Sequence, residues 1–128
     1  MKVKDVMLSK DKFPMVNSME FLKVALDRMS DFRLGIVCVV DEDILMGIIT
    51  DGDIRRKLLN VQKPFSAFFT DYVIDHSIKD PTVCLEDDSL KHAVELMEKN
   101  QIWDLPVVNK NGSLVGLLHL HAAIKNFI

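Results

Sequence analysis

The chain has 128 residues, enough for one compact core but short for an enzyme that must also house a substrate pocket and catalytic residues. Apolar residues make up 48% of it yet are dispersed, and no run approaches the roughly 20 apolar residues that a membrane span needs. The net charge of −3 arises from interleaved acidic and basic residues, which leaves no basic stripe for a nucleic acid to follow.

The start, Met1-Lys2-Val3-Lys4, is charged and lacks the apolar stretch of a signal peptide. Cys38 and Cys84 sit in Val/Ile/Leu-rich surroundings outside any CxxC pair, so both read as reduced core thiols and the expected compartment is cytoplasmic. Residues 18–30 place apolar side chains at i, i+3, i+4 and i+7, the stripe of an amphipathic helix that opens on a capping Ser. A β-branched run from Ile36 to Val40 follows, then a polar turn, Asp41-Glu42-Asp43, then a second strand from Leu45 to Thr50 and a helix from Asp53 to Leu59. The stretch 60–80 links to the rest of the chain and carries an aromatic segment, Phe65 to Tyr72.

The same order then returns. Residues 89–100 carry the helical stripe, Leu105 to Val108 and Leu114 to Leu118 read as strands, and Ala122 to Phe127 as a closing helix. Asn111-Gly112 between the strands is a hairpin signal, because both residues tolerate positive φ. Residue for residue, Pro14-Met15-Val16 matches Pro81-Thr82-Val83, Leu22/Ala25/Met29 matches Leu90/Ala93/Met97, Val39-Val40-Asp41 matches Val107-Val108-Asn109, and Gly47 matches Gly116. The offset stays at about 68 residues, so the chain reads as two copies of one strand-helix-strand-strand-helix unit in a mixed α/β (α+β) fold. Residues 1–60 are expected to form the first repeat, 61–80 the linker and start of the second, and 81–128 the second. The stripe made by Leu22, Ala25, Leu26, Met29, Val94 and Met97 is richer than one small core needs, which predicts a homodimer through these helices.

GIITDGDIRR, with Gly47, Thr50 and Asp53 at intervals of three, resembles the GxxTxxD signature of CBS repeats, and VCVVDEDILMG resembles the strand pair leading into it. That resemblance implies a tandem CBS pair, or Bateman module: two repeats related by a pseudo-twofold axis, with adenosyl or other nucleotide ligands held in the cleft between them. KVKDVMLSKDKFPMV, TDGDIRR and GLLHLH together resemble the C-terminal CBS pair of bacterial arabinose-5-phosphate isomerases, whereas TDGDIRR alone is shared with CBS pairs on sugar-nucleotide transferases. The expectation is a C-terminal regulatory fragment that needs no cofactor and responds to AMP, ATP or a nucleotide sugar. Its partner would be a sugar-isomerase domain in the parent chain.

Thr50 and Asp53 also satisfy a capping box, in which the two side chains occupy exposed helix amides, and both readings fit the spacing. The resemblance implies that Asp53 accepts hydrogen bonds from ribose hydroxyls, with the helix start and Arg55, Arg56 and Lys57 favouring a phosphate. It also places Asp51, Gly52, Ile36 and Val16 around the ligand. In the second copy His119 and Ala122 stand where Thr50 and Asp53 stand in the first, so one conventional nucleotide site is expected. His119 and His121, two apart, would share a strand face, but without a third ligand nearby they predict donors or structural residues and no metal. Trp103, Asp104 and Pro106 fall where CBS repeats face the ligand base, and Trp103 offers either a stacking plane or packed apolar surface. No nucleophile elbow, phosphate loop or metal-ligand cluster is present, so the chain is expected to bind rather than catalyse; the alternative is a dimerisation module that has lost its ligand.

Overall fold

A computed structural model describes residues 1–127; Ile128, the last residue of the expected second repeat, lies outside the described residues. The first copy runs β1 (Met15–Asn17), α1 (Leu22–Phe32), β2 (Ile36–Asp41), β3 (Ile44–Thr50) and α2 (Asp51–Asn60). The second runs β4 (Cys84–Leu85), α3 (Leu90–Asn100), β5 (Asp104–Val108), β6 (Leu114–His119) and α4 (Leu120–Ile124), with a 3-10 turn over Lys125–Phe127. In each, the first strand pairs parallel to the second and the second pairs antiparallel to the third, giving two three-stranded sheets. The expected strand-helix-strand-strand-helix order is therefore present twice.

The helical stripes are spent on the cores. Leu22, Ala25 and Met29 of α1 are buried with Val16, Val37, Val39, Ile49, Phe68 and Val73, while Leu90, Ala93 and Met97 of α3 are buried with Val3, Cys84, Leu105, Val107, Leu118 and Ala123. Leu26 and Val94 pack against the same clusters. Of the stripe that predicted a homodimer, Leu22, Ala25, Met29 and Met97 are buried inside the units, while Leu26 and Val94 stay partly exposed.

Two compact units result, Pro14–Pro81 and Met1–Phe13 with Thr82–Ile128. Their boundaries differ from the linear division at 60 and 80. In the first unit, the link returns so that Ile78 exchanges backbone hydrogen bonds with Ile48 at 2.8 and 3.0 Å, and Val73 donates to Glu20. In the other, Leu8 exchanges them with Leu117 at 2.8 and 3.1 Å, and Val3 donates to Asp88. Residues 3–8 and 73–78 are thus a further pair of matched segments, each opening on a buried valine.

Caps and turns depart from the sequence reading in two places. Ser89 caps α3, accepting from His92 N–H at 3.1 Å, but α1 begins at Leu22, not near Ser18. Ser18 is instead held by Asp41, which accepts from its hydroxyl at 2.6 Å and its N–H at 3.1 Å, and the carbonyls of Asp71 and Phe69 receive the Leu22 and Lys23 amides. The two-residue turn with both residues at positive φ is Glu42-Asp43. At Asn111-Gly112 only the glycine is left-handed, because Asn109 closes a longer loop by accepting from the Asn111 and Ser113 amides.

Candidate functional site

Strand β3 ends at Thr50, whose extended backbone hands directly to α2. Its hydroxyl accepts from the Asp53 N–H at 3.2 Å, and the Asp53 carboxylate reaches back to accept from the Thr50 N–H at 3.0 Å and its hydroxyl at 2.8 Å. All of those bonds to the carboxylate end on Oδ2. The other oxygen, Oδ1, accepts from Arg56 Nη2 at 2.8 Å. The Asp53 side chain is 13% exposed and that of Arg56 59% exposed, so the pair joins a nearly buried anion to a cation in water. The capping box read from the sequence is present, and it leaves one side of the carboxylate to an exposed partner, Arg56.

The remaining residues expected here divide into two sets. Gly52 lies under the Arg56 guanidinium, which a Cβ would meet at 3.2 Å, and Asp51 donates its N–H to the Gly35 carbonyl at 3.0 Å, pinning the helix start to the approach to β2. Ile36 is buried and stands across from Thr50 in the sheet register. Val16 pairs with Val39 and sits in the core cluster, so its side chain serves packing.

An open pocket of about 390 Å³ adjoins this turn within the Pro14–Pro81 unit. Asp53, Arg56, Lys57 and Asn60 of α2 line one side, and His76 and Ser77 of the link the other. His76 Nε2 lies 2.7 Å from Asp71 Oδ2, a bond that, with Lys63 alongside, holds the Asp71 carboxyl below the usual carboxylate range. His76 and Ser77 were not singled out from the sequence. The signal that finds them is the match between residues 3–8 and 73–78, since the Ile48–Ile78 bridge carries that segment to the pocket.

In the second copy the same backbone positions carry different chemistry. Leu120 donates its N–H to the Trp103 carbonyl at 2.8 Å, matching Asp51 and Gly35, and Asp104 is registered opposite His119 as Ile36 is opposite Thr50. His119 precedes α4 without capping it; its Nδ1 lies 2.7 Å from Asp104 Oδ1, and the Asp104 side chain is only 10% exposed. Ala122 supplies no polar group. Trp103 is 71% exposed, so its ring is surface rather than core, while Pro106 is buried within β5. His121 is exposed in the first turn of α4 and does not join His119. No group of three or more His, Cys, Asp or Glu side chains converges among the described residues. No described helix is long and apolar enough to cross a membrane.

Comparison with known proteins places these features. The CBS domain matches residues 3–60 and again 73–128. A Chlamydia trachomatis protein is 34% identical over 125 residues, covering 94% of this chain and 37% of that protein. The arabinose 5-phosphate isomerase KdsD of Francisella tularensis is 30% identical over 129 residues, covering 98% of this chain and 37% of its own length. The chain thus spans little more than a third of these relatives. Among solved structures, CBSX2 of Arabidopsis thaliana in complex with AMP superposes with a TM-score of 0.85 at 24% identity, over 98% of this chain and 95% of that one. With two matched copies, the doubled strand and helix order, and the Thr50–Asp53 turn at the head of α2, this chain belongs to the CBS domain family as a tandem pair.

Proposed function

We propose that the chain is a regulatory module that binds an adenine nucleotide or a sugar nucleotide at the Thr50–Asp53 turn. The observation that carries this reading is the grouping of a nearly buried carboxylate, Asp53, with the Arg56 and Lys57 cations on one open pocket of about 390 Å³. A carboxylate is the acceptor that ribose hydroxyls need, and flanking cations suit a phosphate. The AMP complex of CBSX2 supports adenine as the base, on a chain sharing the fold. Because Ala122 and the Asp104–His119 pair replace the capping carboxylate in the second copy, the expected stoichiometry is one nucleotide per chain.

The KdsD relative supports an attached sugar-phosphate isomerase, whose activity the ligand would shift through its different affinity for two states of the module. On this reading the isolated chain does not interconvert ribulose 5-phosphate and arabinose 5-phosphate. It also assembles as a homodimer, as the family resemblance implies, and a monomeric mass in light scattering would count against that assembly.

Thermal melts with AMP, ATP and nucleotide sugars test the binding reading. A ligand confined to the folded state adds about 2.7 kcal/mol of stability at a hundredfold excess over its Kd, which raises the melting temperature measurably. Melts unmoved by every nucleotide would favour the dimerisation module instead.

A further inference from the structure

We infer that Arg56 makes the pocket selective for anionic ribonucleotides over uncharged nucleosides, by leaving Asp53 when the ribose arrives and taking the ligand's phosphate in exchange. This inference rests on the proposed binding at the Thr50–Asp53 turn. A carboxylate offers about four acceptor positions. Thr50 takes two of them on Oδ2, through its N–H and its hydroxyl, and Arg56 takes a third on Oδ1. A ribose that donates both of its hydroxyls needs two positions, and only one remains. The Thr50 N–H is fixed on Oδ2 by the capping box at the head of α2, and the Thr50 hydroxyl is held beside Oδ2 by the bond it accepts from the Asp53 amide. Arg56 is the partner that can move, because its side chain is 59% exposed and, among the described residues, its guanidinium bonds only to Asp53.

The exchange gives the two ligand classes opposite balances. A nucleoside separates Arg56 from Asp53 and offers the guanidinium nothing in return. A nucleotide separates the same pair but brings a phosphate, and Arg56 with Lys57, both lining the pocket, can meet it with charge-assisted, fork-shaped hydrogen bonds. Arg56 therefore opposes one class and assists the other.

Isothermal titration of wild type and Arg56→Gln with AMP and with adenosine tests the exchange, after a thermal melt confirms that the variant is folded. The expected result is a crossing: Arg56→Gln binds adenosine about threefold more tightly than wild type, since breaking an exposed ion pair is no longer required. It binds AMP about tenfold more weakly, through loss of the charge-assisted bonds. A variant that changes both ligands by the same factor, or neither, overturns the exchange while leaving nucleotide binding intact. Wild type that binds neither ligand overturns the proposed function itself, and the exchange with it.

Discussion

Gly47 shows how a single atom decides whether a unit closes. A Cβ there would meet the Ile78 carbonyl oxygen at 2.7 Å and Ser77 Oγ at 2.9 Å, so the returning link could not lie on β3 without shifting. Gly47→Ala is expected to destabilise the protein by about 1–3 kcal/mol, as overpacked sites do, in urea unfolding. Cys84 is the opposite case, a side chain spent on packing: burial pushes its thiol up to about 12, and Cys38 is buried as well. Because thiolate is the reactive form, a disulfide reagent at pH 8 should find neither thiol until denaturant is added. The Thr50–Asp53 capping box was legible in the sequence because a cap and its return partner are fixed residue types three apart. His76 and the Asp104–His119 pair were not, since the first depends on a backbone bridge thirty residues away in sequence and the second on strand register.

At the level of elements, the stripes that build α1 and α3 could be read directly, while their ends could not. Ser18 has the chemistry of a cap, but Asp41 across the unit competes for it and wins both its hydroxyl and its amide, so the helix starts where link carbonyls meet its first N–H groups. Both helices stop on a left-handed residue that is not glycine, Arg33 at φ 55° and Gln101 at φ 53°. Each carries a steric cost that glycine avoids. Gln101→Gly is therefore expected to raise stability by about 0.5–1 kcal/mol, read as a higher urea midpoint at unchanged slope. A lower midpoint would mean that the Gln101 side chain contributes more than its backbone costs.

For the molecule as a whole, the repeat at about 68 residues was visible in the sequence, yet the segments that close each unit were not. The short segments 3–8 and 73–78 share Val3/Val73, Asp5/Asp75 and an apolar residue at Leu8/Ile78, a faint match that becomes plain in the hydrogen bonds from Leu8 to Leu117 and from Ile78 to Ile48. Removing residues 1–13 should strip β6 of its Leu8 partner and the core of Val3, lowering the melting temperature and exposing residues 114–119 to proteolysis. A truncated protein as resistant as the full chain would contradict that role.

Calorimetric titration with AMP of wild type, Asp53→Ala and Thr50→Val tests whether the Thr50–Asp53 turn holds the ribose of a nucleotide, as proposed. Each charge-assisted bond lost with the carboxylate is worth about 1.5–3 kcal/mol, against roughly 1 kcal/mol for the neutral hydroxyl. Losing the cap costs about 0.5–2 kcal/mol of stability in either variant, so affinities are compared on protein shown to be folded, with Asp53→Asn keeping shape and much of the capping. The expected result is about one AMP per wild-type chain and a weakening of at least tenfold in Asp53→Ala, larger than that in Thr50→Val. Equal affinity in wild type and Asp53→Ala would show that the turn is a helix cap and nothing more.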